Sequence, residues 1–196
     1  MSEGALTTDA SAARNARVLI LCSANQCRSP LAGSLFTREV RLRRLSVDVV
    51  TAGFGDPGYP ATPPTVAAAA ELDLDLAVHE SRRVDPDLLA GADLVLGMER
   101  RHVREAVVLE PSVWRRAFTL REAVRRVEEV GPRSPDEPLR PWLEFLSAAR
   151  DRMSLMGASP DDDVRDPTTD ITVDHATTAA QLEDLVRRLV SGVWPG

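Results

Sequence analysis

Apolar residues along the chain fall into short unbroken runs that alternate with longer stretches of helical spacing. Residues 17–21 (RVLIL) form a continuous aliphatic and β-branched run, the pattern of a strand covered on both faces. From Pro30 the period changes: Leu31, Leu35, Phe36, Val40 and Leu42 recur as on one face of a helix, with proline where a first turn tolerates it. Residues 47–51 (VDVVT) read as a second strand, followed by 52–60 (AGFGDPGYP), too rich in Gly and Pro for regular structure. Pro63 and Pro64 open an Ala-rich helix to about Leu72. Residues 93–97 (DLVLG) give a third strand, with a helix from about Glu99. A short fourth strand at 117–119 precedes a helix over 120–129. After a Pro-rich linker at 131–138, Leu139, Trp142, Leu143, Leu146, Ala149, Met153 and Met156 predict a further helix over 139–157. A last helix carries Leu182, Leu185, Val186, Leu189 and Val190. Strands alternating with helices predict an α/β fold of three layers, a four-stranded parallel sheet with helices on both faces.

At 196 residues the chain suits a single domain over 17–196, preceded by a flexible tail at 1–16. The linker and helix at 131–157 read as an insertion in that domain, whose apolar stripe suits core packing, with a lid or dimer surface as alternatives. The net charge of −6 argues against a nucleic-acid backbone as partner. No apolar run reaches the ~18 residues of a membrane span, and the first 16 residues lack a basic region followed by an apolar core. The expectation is a cytoplasmic protein without membrane attachment, a monomer or weak homodimer. Two cysteines, Cys22 and Cys27, exclude a disulfide framework and offer no second pair for a zinc site, so neither metal nor cofactor is expected.

The chemistry concentrates between the first strand and the first helix: Cys22-Ser23-Ala24-Asn25-Gln26-Cys27-Arg28-Ser29-Pro30. A loop wound there turns successive backbone N–H groups inward, with the positive end of a helix behind them, and so forms a cradle for a tetrahedral oxyanion. Arg28 supplies a planar two-pronged clamp on phosphate oxygens, which a lysine point charge cannot. The same array stabilises negative charge on the Cys22 sulfur. A thiolate beneath a bound phosphate implies in-line attack on phosphorus and a phosphocysteine intermediate. The leaving oxygen then needs a proton.

Residues 18–32 (VLILCSANQCRSPLA) resemble the signature of the low-molecular-weight protein tyrosine phosphatases, whose catalytic cysteine lies near the N-terminus and whose general acid is an Asp-Pro near the C-terminus. The resemblance continues through Thr51-Ala52-Gly53, His79-Glu80-Ser81-Arg82, residues 93–98 (DLVLGM) and residues 163–167 (DVRDP). It implies a metal-independent phosphomonoester hydrolase with Cys22 as nucleophile, Arg28 as phosphate clamp, Ser29 as hydroxyl donor to the sulfur and Asp166 as general acid. It also implies that Ser23, Ala24, Asn25, Gln26 and Cys27 line the bound phosphate. Asn25, Ser29, Thr51 and His79 would hold the loop in shape. Cys27 could then close a reversible, protective disulfide with Cys22.

Departures from that pattern bear on the substrate. Thr168 follows Asp166-Pro167 where the family usually has an aromatic residue. The loop after Thr51-Ala52-Gly53 also lacks the family's aromatic at its expected place, and Phe54 and Tyr59 are the candidates to replace it as a wall of a phenol slot. Ala24 stands where glycine is common, so this position should not need a positive φ. A phosphotyrosine protein is the first expected substrate and a small phosphate monoester an alternative. An arsenate reductase using an external thiol, and a non-catalytic phosphate-binding module, are the competing functions.

Overall fold

The structure, a computed structural model, describes residues 15–195; residues 1–14 of the expected tail lie outside them. In chain order it contains β1 (Ala16–Cys22), α1 (Arg28–Leu42), β2 (Val47–Gly53), α2 (Pro63–Ala70), α3 (Pro86–Gly91), β3 (Leu94–Gly97), α4 (Arg100–Leu109), β4 (Ala117–Thr119), α5 (Leu120–Val130), α6 (Leu139–Ser147) and α7 (His175–Val193). The strands make one parallel sheet in the order β2-β1-β3-β4.

Successive side chains of a strand point to opposite faces, and here each face meets its own layer of helices. Val18, Ile20 and Cys22 of β1, with Leu94, Leu96 and Phe118, pack against α1, α5 and α7. Leu19, Leu21 and Val95 face the other way, onto Leu88 and Leu89 of α3 and Val103 and Ala106 of α4. This two-sided burial is why β1 carries no polar residue between Val18 and Leu21. The chain leaves β1 toward β2 on one side and reaches β3 on the other, so the order reverses at the C-terminal ends of β1 and β3. In open parallel sheets that reversal opens the crevice where ligands bind. Cys22 ends β1 at this point, and Met98-Glu99 follow β3 beside it.

Three expectations need correction. The tail boundary falls inside β1, which begins at Ala16 and pairs it with Val47. Helix α3 was not expected; six residues between Pro86 and Gly91 are too few to show a period, and Asp85 caps it by accepting from the Leu88 N–H at 2.8 Å. The helix expected over 139–157 stops at Ser147. Trp142, Leu143 and Leu146 enter the core as the stripe predicts, but Met153 and Met156 are exposed. Two interactions, one local and one distant in sequence, accompany the end of the helix. The Ser147 hydroxyl donates back to the Glu144 carbonyl at 2.8 Å, and Arg150 turns into the protein, stacked 4.4 Å from the Trp114 ring and 4.7 Å from that of Phe118. Arg150 Nη1 donates to the Trp114 and Ala117 carbonyls, and its Nε lies 2.9 Å from Glu122 Oε1. A buried arginine thus ties the segment after α6 to β4 and α5.

Candidate active site

The loop from Ser23 to Cys27 is gripped from outside by its carbonyls. Ser23 O accepts from the N–H groups of Phe54 at 2.7 Å and Gly55 at 2.9 Å, and Gln26 O from Thr62 N–H at 2.9 Å. Asn25 O lies 2.7 Å from His79 Nε2; a carbonyl only accepts, so this nitrogen carries the proton. Among the described residues, no backbone N–H of residues 23–28 has an acceptor in the protein. Asn25 adopts φ 57°, while Ala24 has no positive φ, as its side chain requires. The left-handed turn of the loop falls on Asn25. Gly53 closes the underside: a Cβ there would lie 2.6 Å from Asn25 N and 2.8 Å from the Ala24 carbonyl carbon.

A buried network sets the loop's shape. Asn25 Nδ2 donates to Ser29 Oγ at 2.9 Å and to Thr51 Oγ1 at 3.0 Å, and Asn25 Oδ1 accepts from Arg82 N–H at 2.8 Å. With that bond accepted, the Ser29 hydroxyl hydrogen is available to Cys22 Sγ, 3.0 Å away, in competition with the more distant Ala52 carbonyl at 3.4 Å. Asn25, Ser29, Thr51 and His79 are therefore assembled as one unit. Cys22 and Cys27 are both free thiols. Burial pushes Cys27 up to about 11, partly offset by a hydrogen bond with Thr65, so it is protonated at neutral pH.

Arg28 is 1% exposed and has four partners. Its Nη1 donates to Glu99 Oε1 at 2.5 Å and to the Val164 carbonyl at 2.8 Å; its Nη2 reaches Asp166 Oδ2 at 2.5 Å and Ser23 Oγ at 3.5 Å. Asp166 Oδ1 accepts from the Thr168 hydroxyl at 2.6 Å and from its N–H at 3.1 Å. The neighbouring acids are engaged elsewhere: Asp162 with Arg100 and Arg125, Asp163 with the N–H groups of Arg100 and Ser159, Asp174 as the cap of α7. Of these carboxylates only Asp166 lines the cavity above Cys22. Its walls are Cys22, Ser23, Ala24, Gln26, Cys27, Arg28, Thr62, Arg101, Asp166, Thr168 and Thr169.

The expected aromatic wall is absent from that lining. The Phe54 ring instead stacks on His102, centroids 5.9 Å apart and planes at 8°, and Tyr59 is half exposed with its N–H bound to Ser81 Oγ. Sequence reasoning also missed Glu99, Arg101 and His102. Their signal was position, at the C-terminal end of β3 beside the chain reversal. Glu99 N–H donates to His102 Nδ1 at 3.1 Å, so the other ring nitrogen bears the hydrogen and donates to Ser23 Oγ at 3.1 Å. Burial pushes His102 down to about 3, with Arg28 and Arg101 adding to the shift against Glu99.

That shift has a stability consequence. Between pH 6.5 and about 3 an unfolded chain protonates this imidazole and the folded one does not, so folding stability falls as pH falls through that window. The slope from this one group is at most about 1.4 kcal/mol per pH unit. Urea unfolding of wild type and His102→Gln between pH 6.5 and 4 should show the variant losing stability less steeply. Parallel slopes would mean that His102 titrates when folded.

The sequence profile of the low molecular weight phosphotyrosine protein phosphatases matches residues 17–136. The chain belongs to this family. It is therefore a cysteine-dependent phosphatase. A probable low molecular weight protein-tyrosine-phosphatase EpsP of Ralstonia solanacearum is 34% identical over 106 residues, 54% of this chain and 70% of the relative. A protein-arginine-phosphatase of Bacillus subtilis is 36% identical over 109 residues, covering 55% and 71%. Among solved structures, the low molecular weight protein tyrosine phosphatase from T. tengcongensis superposes with a TM-score of 0.65 at 26% identity, covering 90% of this phosphatase and 98% of that chain. The matched profile stops before α6, so α6, α7 and the segment carrying Asp166 lie beyond it. No helix among its described residues is long and apolar enough to cross a membrane.

Proposed function

We propose that the protein hydrolyses phosphorylated protein side chains through a phosphocysteine at Cys22. The observation that carries this is the convergence of Cys22, Arg28 and Asp166 on one cavity whose loop amides have no protein acceptor. Phosphate oxygens occupy the amide cradle and the Nε and Nη2 edge of Arg28, displacing Asp166 from Nη2 and freeing it for the leaving group. The Cys22 sulfur attacks phosphorus in line, the bond to the leaving group breaks, and Asp166 gives the departing atom its proton. Water then attacks the phosphocysteine, Asp166 takes a proton from it, and the sulfur leaves as thiolate with Ser29 donating to it. Asn25, Thr51 and His79 keep the loop from relaxing between the two steps. Ser23, Ala24, Asn25, Gln26 and Cys27 supply the cradle.

A second substrate reading is favoured by the polar lining. With Thr168 in place of an aromatic residue and no ring on the cavity wall, nothing there selects a flat phenol. Phosphoarginine, whose guanidino group can meet the Asp166 carboxylate, fits such a wall, and one relative bears that activity in its name. The ratio of turnover on phosphoarginine and phosphotyrosine peptides decides between the two.

The test of the mechanism is rapid quenching of the reduced protein with para-nitrophenyl phosphate in the presence of a chelator. Phosphate should be found covalently on Cys22. Its absence during steady turnover would overturn the phosphocysteine route. Asp166→Asn should slow phenyl phosphate hydrolysis by about a hundredfold, and para-nitrophenyl phosphate far less, because nitrophenolate leaves without a proton. Equal losses on both would remove Asp166 from the acid role.

A further inference from the structure

Two cations line the Cys22 cavity, and they differ in what they can reach. Arg28 lies within the protein and can meet only the phosphoryl group. Arg101 has a side chain 46% exposed. It is nevertheless held: Nε is 2.9 Å from Glu99 Oε2, Nη2 is 3.0 Å from Glu99 Oε1, and the same Nη2 donates to Ser23 Oγ at 2.9 Å, one residue from the nucleophile. Its Nη1 has no hydrogen-bond partner among the described residues. A long side chain fixed at two of its three nitrogens has already lost much of its rotamer entropy, so a further bond at the third costs little ordering.

The carboxylates nearby do not oppose an incoming anion as bare charges. Glu99 is covered by Arg28 and Arg101, and Asp166 by Arg28 and Thr168. The remaining wall, Ala24, Gln26, Thr62, Thr168 and Thr169, is neutral. Resting on the phosphoprotein reading above, we propose that Arg101 is a specificity-determining residue that receives a carboxylate beside the phosphorylated residue, so that the preferred substrates are phosphopeptides flanked by Asp or Glu. Glu99 then has two tasks: it aims Arg28 at the scissile phosphate and Arg101 at the neighbouring residue.

The experiment compares kcat/KM for paired peptides carrying phosphotyrosine or phosphoarginine, flanked on both sides by Asp or by the isosteric Asn, with para-nitrophenyl phosphate as a substrate that has no flank. Wild type should favour the Asp peptide by about 3- to 10-fold, mostly in KM and less so at high salt, as expected of a half-exposed charged contact. Arg101→Ala should bring the Asp/Asn ratio to about 1, and Arg101→Lys should restore part of it. Because the readout is a ratio within each variant, a general loss of activity does not mimic it. No preference in wild type, an unchanged ratio in Arg101→Ala, or turnover of para-nitrophenyl phosphate with no peptide accepted would each overturn the proposal. Failure to turn over para-nitrophenyl phosphate as well would instead bring down the phosphatase reading beneath it.

Discussion

Cys22→Ser is expected to lower turnover of para-nitrophenyl phosphate by about 10⁴-fold or more, the scale seen when a covalent nucleophile is removed. The substitution is close to isosteric, and serine keeps a polar atom next to Ser29 Oγ, which lies 3.0 Å from the present sulfur. Apart from Ser29, the cradle is held by Asn25, Thr51, His79, Arg82 and the amides of Phe54, Gly55 and Thr62, none of which is hydrogen-bonded to the sulfur. The variant should therefore melt within a few degrees of wild type and still bind inorganic phosphate, measured by calorimetry. What it lacks is a polarisable anion able to attack phosphorus. Activity within tenfold of wild type would show that some other group attacks.

Arg150→Ala is expected to cost about 3 kcal/mol of stability, read as a fall of roughly 10 °C in melting temperature for a chain of this size. Three losses combine. Glu122, 4% exposed, loses one of two cationic partners and keeps Arg126 at 2.8 Å; the carbonyls of Trp114 and Ala117 lose their donor; and the space between the Trp114 and Phe118 rings empties. Arg150→Met, which keeps the length of the stem but neither bonds nor charge, should recover part of the loss. Thermal unfolding measures both, and a shift under about 2 °C for alanine would show that α6 and the segment after it are held by Trp142, Leu143 and Leu146 instead.

What could be read in the residues follows a physical division. β1 and β3 were legible because burial on both faces leaves an unbroken apolar run, and even the three buried residues of β4 carry that mark. The cradle was legible because loop, strand end and helix start are contiguous in the chain. The end of α6 was not: no glycine or proline marks it, and the stop comes from Arg150 seeking partners 33 and 36 residues away. Glu99 and His102 were hidden for the same reason, since Glu99 meets Arg28 across 71 residues and His102 meets Ser23 across 79. Phe54 shows the converse case. An aromatic residue in the right loop drew attention as a substrate wall, while its ring is used to cover a buried imidazole.

The two ties from Arg28 to Val164 and Asp166 reach 136 and 138 residues along the chain. The loop itself is held by residues no later than Arg82, so the two ends of the chain meet at a single guanidinium: a chain cut before Val164 would leave buried Arg28 with only Glu99 and Ser23 as partners.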